Sequence, residues 1–304
     1  MKKVTLFSLS LLLLAACSSD NEPQSGTNTT DPVEIKLNAG IQSIETSTRG
    51  GGVISGTSLA SALNVSLARL DATDGTPPYP QYSTLSSALA ATVSTGGTIA
   101  FSTTQYYQAN GYSTKLVSWY PAATPASGVI TYTLLDGSTD IMLSSEVSGS
   151  KTSHFNALTF AHQLTQIQIK AYAEDDDALN LWGDITAAIK IKSQPSVCKI
   201  TLPSTVTFPE SNAEVSMSET SATLAVGSTS AVSCGYAMIP PATGLSIDVT
   251  TVKGGTQTVA LPSQAYAAGT AYVISLLFKS TGISPTATIT DWSSTTIETP
   301  VGVQ

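Results

Sequence analysis

An all-β fold of sandwiched sheets is what this sequence predicts, and three observations predict it. Ser, Thr, Gly, Ala and Val dominate the 304 residues while charged residues make up only 11%. β-Branched residues fit pleated strands, and Gly and Pro fit turns. Short segments alternate apolar and polar residues with the period of two that a half-buried strand imposes, and turn-rich breaks separate them.

The first 17 residues are of a different kind. Lys2 and Lys3 form a positive end, and Val4 to Leu14 form an apolar run. That run is too short to span a bilayer comfortably as a helix, so residues 1–16 are expected to be a cleaved export signal. Leu14-Ala15-Ala16-Cys17 resembles the lipobox of bacterial lipoproteins, in which the cysteine thiol carries the lipid; Cys17 is the expected lipidation site. Residues 17–32 continue as a polar, Gly- and Pro-containing stretch, expected to be a lipidated, disordered tether.

Residues 33–41 give the cleanest strand signal. Val33, Ile35, Leu37, Ala39 and Ile41 fall on one face, with Glu34, Lys36, Asn38 and Gly40 on the other. Thr48-Arg49-Gly50-Gly51-Gly52 then reads as an exposed loop, the kind of place where proteases cut. Strands are expected at 62–70, 98–107, 113–120, 128–135 and 139–144, with a helical turn or two within 83–92. A polar break at 148–153 marks the expected boundary between an N-terminal sandwich domain (33–152) and a C-terminal one (153–304). The second set of strands is expected at 155–173, 185–192, 197–208, 213–226, 231–239, 245–252, 256–261, 270–279 and 285–303.

Charge and chemistry narrow the function. The net charge is −8, and loss of Lys2 and Lys3 with the leader makes it two units more negative. An acidic chain with scattered lysines has nothing to displace counterions from phosphates, so nucleic acid is excluded as a partner. Membrane attachment is expected from lipid alone. Cys198 and Cys234 fit a disulfide or two buried thiols equally, and two cysteines make no metal site. His154 and His162 would lie about 27 Å apart along one strand, too far to share a metal. Glu174-Asp175-Asp176-Asp177 reads as a solvated acidic loop, with a weak calcium site as the alternative. Asp136-Gly137-Ser138-Thr139-Asp140 is only a fragment of a calcium loop. No cofactor or metal site is expected. No nucleophile with its base stands out, so the protein is not expected to be an enzyme.

Several stretches together resemble one family. Phe160-Ala161-His162-Gln163-Leu164 is similar to the F-x-H-x-L strand of the fimbrillins, the type V pilins and pilin-like surface lipoproteins of Bacteroidales. Residues 269–292, GTAYVISLLFKSTGISPTATITDW, resemble that family's C-terminal signature, and Thr48-Arg49 resembles its processing site. Ser118-Trp119-Tyr120-Pro121 and Asp140-Ile141-Met142 fit more loosely. Gly50 departs from the alanine that often follows the arginine in the family, which bears on which protease cuts there. The resemblance implies two tandem transthyretin-like or Ig-like β-sandwich domains, export to the outer membrane and cell surface, and cleavage between Arg49 and Gly50. The strand 33–41 would leave with its lipid, another subunit's strand would fill the groove, and the processed chain would join a fimbria. The expected partners are other fimbrial subunits, with a host protein or glycan as a further candidate.

The sequence supplies its own counterpart to that exchange. Thr295, Ile297, Thr299, Val301 and Val303 repeat the five-position alternation of the removable strand, so Ile297, Val301 and Val303 are the expected apolar contacts of a donor strand. Pro300 favours an edge position. Burial of the four large apolar residues of strand 33–41 would contribute roughly 6–12 kcal/mol as an upper bound. The alternative is a surface lipoprotein that stays monomeric and binds glycan or host protein through loops. A surface hydrolase ranks last.

Overall fold

The computed structural model describes residues 31–41, 59, 61–74, 78–209 and 212–290. Contacts divide the chain after Asp31, and every element named below belongs to the unit from Pro32 onward. Its first strands are β1 (Leu37–Ile41), β2 (Leu63–Asp71), β3 (Leu89–Val93), β4 (Thr98–Phe101) and β5 (Thr114–Tyr120). Then come β6 (Val129–Thr133), β7 (Met142–Ser144), β8 (Val147–Gly149), β9 (Leu158–His162) and β10 (Thr165–Ala173). After helix α1 (Asp176–Trp182) come β11 (Lys190–Gln194), β12 (Val197–Thr201), β13 (Thr205–Thr207), β14 (Ala213–Ser216) and β15 (Val232–Ile239). The last are β16 (Ala242–Thr243), β17 (Ser246–Thr251), β18 (Gly255–Ala260), β19 (Ala265–Tyr266), β20 (Ala271–Lys279) and β21 (Gly282–Thr290).

The all-β expectation holds. An eight-stranded sheet runs β2-β3-β4-β1-β9-β7-β5-β8, and an additional β2–β5 pairing closes it into a ring with β8 outside. The ring encloses a core of Ile35, Leu37, Leu67, Leu116, Leu158 and Phe160, among others. A three-stranded sheet, β13-β12-β6, shares a second core with the outer face of β5: Val117 and Trp119 pack with Ile130, Cys198 and Ile200. This explains a departure from the half-buried strands expected at 62–70 and 113–120. Four consecutive residues, Val65 to Ala68, are buried in β2, as are Leu116 to Trp119 in β5. Their Cβ atoms alternate between two faces, and both faces are covered.

Beyond Gln163–Leu164 the chain enters two four-stranded sheets, β15-β10-β20-β21 and β14-β11-β17-β18. Their facing sides enclose a third core containing Ile167, Ile169, Ile191, Ile247, Ile274 and Phe278. Residues 148–153 cover the end of β8 and the turn leading to β9, and β9 still belongs to the ring. The β12–β13 hairpin returns to pair with β6, so the three-stranded sheet draws strands from both sides of that polar break.

Two local expectations are corrected. Within 83–92 only one helical turn forms, a 3-10 turn at Tyr82–Thr84, and Leu89–Val93 is strand β3. Leu89 to Val93 pairs with β2 along its length, and that pairing overrides the helical spacing of its alanines. The acidic run is not a plain loop but the start of α1. Asp175 caps it by accepting a hydrogen bond from the Ala178 amide (2.8 Å), and Asp176 and Asp177 occupy the first turn. Carboxylates there satisfy free amides and oppose the positive end of the helix. Trp182 anchors the other end by donating from Nε1 to the Lys279 carbonyl (2.7 Å).

Candidate functional site

The candidate site is the slot occupied by residues 33–41, of which Leu37–Ile41 form β1. Its inward residues are the five the alternation names: Ile35 and Leu37 are buried, and Val33, Ala39 and Ile41 are half-buried against the same core. Glu34, Lys36 and Asn38 face solvent. The two fully buried side chains contribute about 3–6 kcal/mol between them, at about 1.5–3 each.

β1 is an interior strand of the ring. It pairs antiparallel with β4, Leu37 opposite Ile99 and Asn38 opposite Thr98. It pairs parallel with β9, Ala39, Gly40 and Ile41 beside Leu158, Thr159 and Phe160. The β3–β4 turn comes close to it: Ala39 donates its amide to the Gly97 carbonyl (2.6 Å). Gly97 has φ +83, and a Cβ there would lie 2.7 Å from the Ala39 carbonyl oxygen. Only glycine combines that backbone with that approach. The preceding residues leave β4 and run beside a neighbouring segment instead. Ile35 donates to the Gln105 carbonyl (2.8 Å), and Val33 accepts from the Tyr107 amide (2.9 Å). Between these two sets of bonds lies a cleft of about 490 Å³, lined by Ile35, Lys36, Leu37, Ile99, Phe101 and Thr104 among others.

The slot has two distinct ends. At the far pole Tyr107 stacks on His154 (5.1 Å) and Phe155 (5.3 Å), and its hydroxyl accepts the Phe155 amide (2.9 Å). At the other end β9 runs towards Gln163–Leu164, the waist where the chain passes to the paired sheets. Phe160, His162 and Leu164 are all buried, Phe160 in the ring core and Leu164 in the core shared with the three-stranded sheet. His162 is only 6% exposed. Its Nδ1 shares a hydrogen bond of 2.7 Å with Asp140 Oδ2, and Asp140 Oδ1 is buried with no hydrogen-bond partner among the described residues. Sequence reasoning named both residues without joining them. Their link is the register of β7 beside β9, which sets Met142 opposite His162. Burial, then the charge of Asp140, raises the pKa of Tyr120.

Other candidates separate. His154 is exposed and stacks on Tyr107, whereas His162 is buried against Asp140. Ser138 donates its amide to Asp136 Oδ1 (3.1 Å), so the Asp136–Asp140 segment is a turn whose last carboxylate points inward. Among the described residues no group of three or more His, Cys, Asp or Glu side chains converges on a point where a metal could sit. Cys198 and Cys234 are free and buried, and burial pushes both thiols up to about 12. Both should therefore resist a thiol reagent at neutral pH in a folded Cys17→Ser chain and react fully in denaturant. Stoichiometric labelling of the folded chain would contradict this burial. Cys17, Arg49, Gly50, Ile297, Val301 and Val303 lie outside the described residues.

A closed sheet with β1 between an antiparallel and a parallel neighbour, in a chain otherwise built of packed sheets, defines an all-β protein of the β-sandwich kind. The chain belongs to the fimbrillin-like family, whose model matches residues 64–292. Solved structures share the fold. A Bacteroides uniformis protein proposed to act in cell adhesion is 18% identical, with a TM-score of 0.59 over 86% of this chain and 98% of its own. A Bacteroides ovatus protein with the same proposed role is 16% identical, with a TM-score of 0.56 over 87% and 99%. One from Bacteroides fragilis is 12% identical, at 0.53 over 87% and 99%. No curated protein matches the chain significantly.

Proposed function

We propose that this protein is a structural subunit of a surface fimbria, or a fimbrial adhesin, that assembles by exchanging β1 for a strand of another subunit. The interior position of β1 carries the proposal. Its removal breaks the ring between β4 and β9 and leaves two unpaired edges over an apolar trough, and such edges bind a replacement strand. Membership of the fimbrillin-like family and the adhesion role proposed for the three relatives support the same reading. In it, Cys17 carries the lipid that holds the precursor at the outer membrane, cleavage between Arg49 and Gly50 frees the strand, and residues 295–303 are the donor. Deletion of residues 295–304 should then leave a folded monomer that cannot lengthen a polymer. Size-exclusion chromatography of the cut chain checks this, with circular dichroism to confirm folding. A deleted chain that assembles like wild type would refute the donor role.

A further inference from the structure

The pair of four-stranded sheets is open along one side. β18 is the last strand of one sheet and β21 the last of the other. The two come together without pairing, and a cleft of about 250 Å³ lies between them, lined also by Trp182 of α1.

Both edges offer main-chain polar groups to this cleft. Leu261 donates its amide to the Leu245 carbonyl (2.8 Å), one step beyond the Ser246–Ala260 pair. Alternate residues of an antiparallel strand bond to the same neighbour. Gln257 and Val259 therefore bond to β17, while Thr258 and Ala260 turn their amides and carbonyls away from it, towards the cleft. On β21 the count is similar. The Phe278 carbonyl accepts from the Glu174 amide (2.9 Å) on the side away from β21, so Leu277 and Lys279 are the residues that bond to Ser284 and Gly282. Ile283 and Pro285 then present their free edge to the cleft, where the missing proline amide breaks no sheet bond.

Trp182 supplies a surface of another kind. Its one polar atom, Nε1, is already spent on the Lys279 carbonyl (2.7 Å), so it gives the cleft only ring carbon. The ring is fixed without a ligand. Phe278 meets it edge-on at 5.9 Å, and Gly254 packs so closely that a Cβ there would collide with its ring carbons. None of the described residues lining the cleft is charged.

These features select the occupant. The volume is below the roughly 300–1,000 Å³ of pockets that take a drug-sized ligand, so one ring of a larger molecule fits and the whole molecule does not. A peptide strand paired to both edges needs twice the inter-strand spacing, about 9.5 Å, whereas Cα atoms of β18 and β21 come within 8 Å of each other. An aromatic surface beside converging donors and acceptors suits a molecule with an apolar face and a rim of hydroxyls. A charged ring would lose its water and find no counter-charge. We infer that the Trp182 cleft is a sugar-binding site for a single neutral pyranose, the terminal residue of a glycan. The site belongs to the paired sheets and is independent of the exchange of β1.

The uncut Cys17→Ser chain tests this by saturation-transfer NMR titration with methyl glycosides of galactose, glucose, mannose and N-acetylglucosamine, and with N-acetylneuraminic acid as the charged probe. At least one neutral glycoside is expected to bind saturably, at least tenfold more tightly than N-acetylneuraminic acid. Trp182→Phe and Ala260→Tyr should each weaken that binding at least tenfold. Ala260 is exposed, so its tyrosine fills the cleft without entering the core, and urea unfolding at the wild-type midpoint confirms that this variant is folded. Absence of saturable binding by every neutral glycoside overturns the site. So does binding that survives Ala260→Tyr in the folded chain, and equal affinity for N-acetylneuraminic acid overturns the neutral selectivity. Because the chain is never cut, none of these results bears on strand exchange.

Discussion

Cut after Arg49, the chain is expected to leave the monomer fraction and grow into polymer, whereas an Arg49→Ala chain given the same protease stays monomeric. While β1 is covalently attached it competes for its own slot at an effective concentration of the order of millimolar. A partner's tail at micromolar concentration is then at a disadvantage of roughly a thousandfold, about 4 kcal/mol. Cleavage removes that advantage without altering a single contact of Ile35 or Leu37 in the core. Assembly should therefore depend on cleavage, rise steeply with protein concentration, and be slowed by adding free peptide of sequence 33–41. Light scattering of cut and uncut chains at several concentrations measures all three. If the cut chain remains monomeric at high concentration, the exchange mechanism is wrong, and the monomeric binding lipoprotein becomes the better account.

The largest expected loss of stability is at the waist. Asp140→Ala leaves His162 in the core without its 2.7 Å partner. Removing one member of a buried hydrogen-bonded pair costs about 1–3 kcal/mol, a sizeable share of the roughly 5–15 kcal/mol that holds a typical domain folded. Replacing both, as in Asp140→Val with His162→Leu, should restore much of that loss, because two apolar side chains need no partner. Urea unfolding of the two variants beside wild type decides the point. A double variant no more stable than the single one would show that the pair does more than satisfy itself. Because β9 also forms one wall of the β1 slot, the single variant should exchange strands faster after cleavage than wild type.

Period-two alternation named the inward residues of the 33–41 strand from the sequence. It also placed most strands to within a few residues. Alternation reports which side of a strand is covered, and that is a local property of each segment. It carries no information about which strand lies alongside, because every strand edge offers the same amides and carbonyls. Helix α1 was legible in principle through its Asp175 cap, but seven residues with three leading carboxylates look like a loop until Trp182 and Ala178 are seen packed. The sequence by itself therefore determined the all-β class and the inward face of residues 33–41. Tertiary structure alone decided that β2 meets β5 to close the ring, that β12 returns to β6, that Asp140 meets His162, and that β1 lies between a parallel and an antiparallel neighbour. All of these are pairings between residues distant in the chain, chosen by how whole faces fit together once the sheets pack.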